Sequence, residues 1–439
     1  MSNRNFHPLV LIISVASLAA ACTAQTTVER MQQIVQPYVD AQMFMGSVLV
    51  AKHGRVIFKQ SYGMADLEWS VPNSSTTKFN IASMTKQFTA AAVLLLEDRG
   101  KLKTDDSIRK YFPEAPASWD KITIYNLLTH TSGISDDAAT YVPGTPDKMI
   151  FHDKPLNFQP GEKWSYVNMG FLVLGYLIEK IGGQTYEQFL KENIFQPLGM
   201  NDSGLESNVT IIPHRAIGYW PGNDGMENAE RPDPRIGFAS GAIYSTTEDL
   251  LRWEDGLFGG KLLSPAAFHK MITPFRNDYA CGLFAKRVNG RLMIEHNGDN
   301  IGFNADMAYY PDEGLAIMVL ANQNGQAMGK IATALAAAVH REPVPPPDIH
   351  KQVSLPPAML TRCAGTYEFS DGPTEIAPER NHLIARFTSG QTLAFFPESE
   401  TRFFSKVFDI ELVFTQDDKG QCTVLTWRQN GKDDKGTKK

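Results

Sequence analysis

The apolar positions change period several times along the chain, and each change marks a different kind of element. Val28 to Met43 has helical spacing and predicts an opening helix. GSVLVAKHGRVIFKQSYG follows, with two alternating runs on either side of Lys52-His53-Gly54, which predicts a β-hairpin. QFTAAAVLLLEDRGKL is rich in Ala and Leu and stops at Gly100, a residue suited to the turn that ends a helix. KITIYNLLTHTSGI reads as a short helix entering a loop. NMGFLVLGYLIEKIGG, ending at Gly182-Gly183, and TYEQFLKENIFQPLGM predict two further helices. Ser245-Thr246-Thr247-Glu248 has the form of a capping box ahead of a helix in DLLRWEDGLF.

After residue 279 the period shortens. RLMIEHNG, FNADMAYYP and LAIMVLANQ are apolar runs separated by turn residues and predict strands, and GKIATALAAAVH closes the segment as a helix. This order predicts an α+β fold in which strands from both ends of the segment form one antiparallel sheet, flanked by helices and accompanied by a helical region. The predicted domain spans residues 25–340. REPVPPPD opens a Pro-rich linker, 341–350. Beyond it GTYEF, HLIARFT, TLAFFP, VFDIELVF and TVLTW predict short strands, so residues 351–431 are expected to form a small antiparallel barrel or sandwich. The polar end GKDDKGTKK predicts a disordered tail over 432–439.

The N-terminus follows different rules. Arg4 and His7 precede an apolar run, Leu9 to Ala21, that is too short to span a bilayer and ends in small residues. This order predicts a signal peptide over residues 1–24, cleaved after Ala24, and an exported protein, periplasmic or secreted, with no transmembrane segment in the mature chain. Cys22 supplies the alternative, a lipid anchor holding the protein at a membrane. An oxidising compartment would permit one bridge, for which Cys363 and Cys422 are candidates, or both could stay buried free thiols.

The totals narrow the function. The chain has 439 residues, 43% of them apolar and 21% charged, as in an ordinary globular protein of two or three domains. A formal net charge of −6 and the lack of a long Lys/Arg block give no footing for nucleic acid. The ten histidines are scattered without a His-Glu-x-x-His pattern, so neither metal nor cofactor is expected.

Ser-x-x-Lys, a nucleophile signature, occurs three times: Ser75 to Lys78, Ser83 to Lys86 and Ser118 to Lys121. A serine nucleophile needs a base, and at the start of a helix positions i and i+3 place the two side chains together. Ser75 sits in a β-branched polar turn and Ser118 follows a Pro-rich loop, whereas helix formers begin directly after Ser83 to Lys86. The competing reading for Ser83, and the favoured one on this motif alone, is a plain helix cap. Tyr166-Val167-Asn168 precedes an apolar helix. A Tyr near a Lys can have its pKa lowered and act as a base, and Asn offers a donor and an acceptor. The competing reading is a buried tyrosine with a local hydrogen bond. His296-Asn297-Gly298 lies between strand-like runs, and the peptide N–H of Asp299 could join that of Ser83 as an oxyanion hole. The competing reading for His296 is a turn histidine.

Together and in this order, Ser83-x-x-Lys86, Tyr166-x-Asn168 and His296-x-Gly298 resemble the serine β-lactamase and penicillin-binding protein superfamily. The resemblance is to the class C β-lactamase-like branch, with its D-aminopeptidases, DD-peptidases and esterases. LLTHTSGI, PGEKWSYVNMGFLVLG and GFASGAIYSTTEDLLRW support it, and it covers roughly residues 27–340. It implies a β-lactamase-like fold with an appended accessory domain. It also implies that Ser83 is acylated, that Lys86 and Tyr166 transfer protons, and that Asn168 positions Lys86 and substrate. His296 stands where many members carry Lys, and a mostly neutral histidine is a weaker partner for a substrate carboxylate. The expectation is therefore a serine hydrolase that cleaves an amide or ester bond, in a D-amino-acid-containing peptide or a small ester. The alternatives are a penicillin-binding DD-peptidase or weak β-lactamase, and a scaffold or binding protein that keeps the fold without turnover. The expected partner is a small-molecule or peptide substrate, and the oligomeric state stays open.

Overall fold

Gly46–Lys52 and Arg55–Tyr62 form the predicted hairpin, and the strand that completes it comes from far downstream. Gly46–Lys52 runs antiparallel to Leu315–Ala321, with Gly46 opposite Ala321 and Lys52 opposite Leu315. The structure is a computed structural model that describes residues 27–141, 149–223, 225–429 and 431–439. The expectations for the signal peptide, its cleavage site and Cys22 lie outside the described residues. The sheet has six antiparallel strands in the order Phe284–Val288, Arg291–Asn300, Phe303–Tyr310, Leu315–Ala321, Gly46–Lys52, Arg55–Tyr62.

Leu315–Ala321 is buried at every position because both faces of the sheet are covered. Ala316, Met318 and Leu320 join the core shared with the helical region. Leu315, Ile317, Val319 and Ala321 join a second core, beneath helices 27–40 and Ala327–His340. The α+β fold predicted from the strand–helix–strand order is the one observed. At the centre of the helical region lies helix Thr85–Asp98, buried at every residue from Thr85 to Leu96. Such a helix cannot be amphipathic, and its uninterrupted Ala/Leu run reflects that.

Two local readings need correction. Thr246, rather than Ser245, caps helix Thr247–Phe258, its hydroxyl accepting from the Asp249 N–H at 3.2 Å. Ser245 is held extended as the end of strand Ile243–Ser245, opposite Phe79, so the cap falls one residue later. TYEQFLKENIFQPLGM is not one regular helix. Tyr186–Leu190 is α-helical, Lys191–Phe195 widens into a π-helical stretch, and Gln196–Leu198 ends at left-handed Gly199. Pro197 has no N–H to offer a regular helical ladder.

Residues 342–356 form neither helix nor strand, yet they are pinned. Lys330 holds Asp348 at 2.5 Å, and His350 stacks on Phe404 with centroids 4.8 Å apart. A short helix, Pro357–Cys363, then leads into a closed eight-stranded antiparallel barrel that runs from Gly365–Phe369 to Lys432–Lys438. Cys363 and Cys422 are joined by a disulfide, and Cys281 is free and buried. The expected disordered tail is instead the last barrel strand. Lys432–Lys438 pairs with Cys422–Gln429 and, through Lys438 opposite Tyr367, with the first strand. Only Gly436 of this strand is buried; Lys432 to Lys435 and Thr437 are exposed, which accounts for its polar composition. Closure leaves the barrel without a free edge. Among the described residues no helix is long and apolar enough to cross a membrane.

Candidate active site

Only one of the three Ser-x-x-Lys copies meets other chemistry. Ser75 is exposed in a turn, with Lys78 paired to Asp202 at 3.1 Å. Ser118 and Lys121 are both exposed. Ser83 lies in a 3-10 turn, Ala82–Met84, directly ahead of helix Thr85–Asp98. The Asn80 Oδ1 accepts from the Ala82 N–H at 2.9 Å, and Ala82 takes φ +48°, a conformation few residues with a Cβ adopt. This kink leaves Ser83 partly exposed in a cleft while Lys86, one turn on, is fully buried. The N–H groups of a first turn have no partner within the helix, so the Ser83 N–H is available to a ligand.

The Lys86 Nζ lies 2.8 Å from the Asn168 Oδ1, 2.8 Å from the Ser240 carbonyl oxygen and 3.0 Å from the Ser83 Oγ. The first two atoms can only accept. A neutral Lys86 therefore donates both N–H groups to them and turns its lone pair toward the Ser83 hydroxyl. Burial lowers the Lys86 pKa to about 7, against an upward pull from Asp136. The amine is thus available as a base near neutral pH.

The Tyr166 side chain is in hydrogen-bonding contact with that of Ser83, and its ring lies 4.8 Å from the Lys86 Nζ. Its pKa is raised to about 12, because burial outweighs the lowering effect of its hydrogen bond with the Ser83 side chain. The expectation that a neighbouring lysine would lower this pKa is not met. Lys86 has lost most of its own preference for charge in the same apolar surroundings. The Tyr166 ring packs against His130, with centroids 4.3 Å apart, and the His130 Nδ1 accepts from the Val167 N–H at 3.2 Å. That contact fixes the turn delivering Asn168 as the first residue of helix Asn168–Gly182. Asp136 accepts from the Met169 N–H at 3.0 Å and lines the cleft beside Asn168.

The third motif is split by its strand, Arg291–Asn300. His296 is buried, its ring centroid 6.4 Å from that of Tyr166. The His296 Nδ1–H donates to the Asn297 carbonyl at 2.6 Å, and the Nε2 faces the Tyr279 hydroxyl at 3.4 Å. Burial, followed by the proximity of Lys86, lowers its pKa to about 3. The sequence reading makes His296 a neutral donor to substrate. The structure keeps it neutral but directs its single N–H to its own neighbour. His296 and Asn297 do not line the cleft, and Asn297 is exposed. Gly298 lies where the strand crosses the Ser83 turn, and an added Cβ would stand 2.2 Å from the Ile81 carbonyl oxygen. Asp299 follows at the edge of the cleft.

Ser83, Lys86, Tyr166 and Asn168 are thus brought together, with Gly298 and Asp299 alongside. The sequence reading misses Ser240, Asp136, His130 and Tyr279 as parts of the site. Ser240 and His130 fall in stretches that carry the resemblance, GFASGAIYSTTEDLLRW and LLTHTSGI. A backbone carbonyl and a packed ring have no residue-type signature, however. Phe238, with φ +32°, and His130, with φ +55°, join Ala82 as strained residues around Lys86. The cleft has a volume of about 590 Å³ and runs outward from Ser83 past Leu172 and Ile301 to Ile236 and Arg231.

A family model described as Beta-lactamase matches residues 31–341. Penicillin-binding protein 4* of Bacillus subtilis (strain 168) is 28% identical over 424 residues, covering 88% of this chain and 93% of that relative. The crystal structure of a penicillin binding protein from Bacillus halodurans superposes with a TM-score of 0.61 at 29% identity, covering 71% of this chain and 98% of that one. The D-amino acid amidase of Ochrobactrum anthropi SV3 superposes with a TM-score of 0.59 at 23% identity, covering 72% and 97%.

Proposed function

The chain belongs to the β-lactamase family of serine hydrolases, and on that premise we propose that it hydrolyses a small amide or ester through an acyl-enzyme on Ser83. The observation that carries this reading is the buried Lys86 amine, held by two obligate acceptors with its remaining valence toward the Ser83 Oγ. The Ser83 Oγ attacks the carbonyl carbon as its proton passes to the Lys86 Nζ. The N–H groups of Ser83 and Asp299 receive the oxyanion. The Lys86 ammonium then returns the proton to the leaving group through the Tyr166 hydroxyl. A water repeats the sequence on the acyl carbon and restores Ser83. Tyr166, neutral throughout, relays protons and is not the base.

An uncharged, buried His296 cannot attract a carboxylate beside the scissile bond, which favours esters and amides without one over β-lactams. D-Aminoacyl amides belong to the favoured group. The relative named a penicillin-binding protein supports the second reading, acylation by penicillin. We also propose export, which the composition of residues 1–24 and the Cys363–Cys422 disulfide support.

The test compares wild type with Ser83→Ala on p-nitrophenyl acetate, a D-alanyl amide and nitrocefin, with intact-mass detection of a fluorophosphonate adduct. Loss of ester turnover by about a thousandfold or more, together with loss of the adduct, is expected for Ser83→Ala. Ester hydrolysis that survives the substitution refutes the reading. Nitrocefin turnover above ester turnover moves the penicillin reading ahead.

A further inference from the structure

We infer that the C-terminal barrel sets the shape of the outer substrate cleft, with Lys406 as the positioning residue that couples the two. The inference rests on the hydrolase reading above, because it concerns which substrates that cleft accepts.

The outer wall of the cleft is rooted in a small hairpin, Tyr219–Pro221 paired with Met226–Asn228. Gly218, just before the hairpin, and Ala229, just after it, both line the cleft, and the Ala229 N–H donates to the Gly218 carbonyl at 3.0 Å. The chain continues from Ala229 through Arg231 to Pro234 along the same wall. Any displacement of the hairpin therefore moves both ends of that wall.

The barrel grips this hairpin away from its root. The Lys406 Nζ donates to the Gly222 carbonyl at 2.9 Å, and the same ammonium lies 3.9 Å over the Phe396 ring of the barrel. The loop that carries Lys406 is itself stiff. The Ser405 hydroxyl is buried and accepts from the Val407 and Phe408 N–H groups at 3.2 and 3.1 Å. Gln326, at the start of helix Ala327–His340, donates to the Ser405 carbonyl at 3.1 Å, and the Lys330 Nζ is 3.3 Å from Asp409. The barrel loop is thus anchored to the catalytic body at one point and to the hairpin at another.

The hairpin in turn touches the inner cleft. Gly302 is wedged against its root, and a Cβ there would lie 2.7 Å from the Gly218 Cα and 2.7 Å from the Ala229 Cβ. Asn324 ties the same region together. Its N–H donates to the Tyr219 carbonyl at 3.1 Å, its Oδ1 accepts from the Gly302 N–H at 2.6 Å, and its Nδ2 donates to the Asn300 carbonyl at 2.8 Å. A contact at Gly222 is therefore transmitted through covalent and hydrogen-bonded links to the wall of the cleft. The Ser83–Lys86–Tyr166 cluster makes none of these contacts. Substrates that fill only the space next to Ser83 do not sense the barrel, and substrates that extend along the outer wall do.

The test uses the full-length chain and two esters with the same leaving group, p-nitrophenyl acetate and p-nitrophenyl octanoate. Lys406→Met keeps the length of the side chain and removes the ammonium, and with it both the donor to Gly222 and the charge over Phe396. The expected result is an increase of about fivefold in KM for the octanoate, with kcat and KM for the acetate within about twofold of wild type and an unchanged Tm. Lys406→Arg, which restores a cationic donor, recovers most of the octanoate KM. Parallel loss on both esters with a lower Tm makes Lys406 merely structural and overturns the inference, as does no change on either ester. Wild-type protein that shows no saturable octanoate turnover also overturns it. Ser83→Ala separates the two levels: if that variant still hydrolyses acetate, the hydrolase reading fails, whatever Lys406→Met does.

Discussion

In the proposed mechanism Lys86 takes the Ser83 proton only when it is neutral, so the rate should follow its titration. Burial moves this amine from 10.5 to about 7, a penalty on the charged form on the order of 5 kcal/mol. A base with that pKa is about one-tenth neutral at about pH 6 and about nine-tenths neutral at about pH 8, so kcat/KM for an uncharged ester should rise about tenfold between them. It should then level off. Tyr166, raised to about 12, does not ionise in that range and adds no further slope. Stopped-flow hydrolysis of p-nitrophenyl acetate from pH 5 to about pH 10, corrected for spontaneous hydrolysis, reads the profile directly. Asp136 raises the Lys86 pKa, so Asp136→Asn should move the acid limb to lower pH. A kcat/KM that climbs tenfold per pH unit from neutrality to the top of the range, without a plateau, would refute Lys86 as the base and return that role to a tyrosinate. An acid limb that moves to higher pH in Asp136→Asn would contradict the electrostatic origin of the shift.

Two further outcomes follow from packing and burial. Gly298→Ala places a methyl group 2.2 Å from the Ile81 carbonyl oxygen, so the strand must retreat from the Ser83 turn. A stability loss of about 1–3 kcal/mol and a fall in kcat of about tenfold or more are expected by calorimetry and ester assay, and wild-type values for both would show that the contact yields freely. Glu254 is buried, with its Oε2 unpartnered and its pKa well above the usual carboxylate range. The folded state holds that proton where the unfolded chain has released it, so this group's contribution to stability falls as pH rises above the ordinary glutamate pKa. Glu254→Gln should therefore raise Tm relative to wild type more at about pH 8 than at about pH 4, and an equal difference at both would exclude the linkage.

The sequence was most informative where one residue type answers one local need. The hairpin, the Ala/Leu helix after Ser83 and the strands after residue 279 were legible from period alone, because side-chain period follows backbone geometry. Ser83, Lys86, Tyr166 and Asn168 were legible because their chemistry depends on what they are. The errors arose where pattern and context diverge. GKDDKGTKK is polar because nearly every residue of its strand meets water, and composition cannot distinguish that from disorder. Ser245 begins a Ser-x-x-Glu pattern, yet strand pairing opposite Phe79 moves the cap to Thr246.

His296 and Tyr166 show the division most clearly. Their identities and order along the chain indicated the reaction type, and nothing local in the sequence contradicted a lysine-assisted tyrosinate or a histidine facing substrate. Which group carries charge depends on how much water surrounds each one, and on whether a carbonyl such as Asn297 or Ser240 already holds its hydrogen. Desolvation, and for Lys86 the Ser240 carbonyl as well, is set by segments far apart in sequence. The sequence by itself therefore determined which residues are candidates for the nucleophile and its neighbours, and only the tertiary structure decided which of them is placed and desolvated to serve as the proposed base.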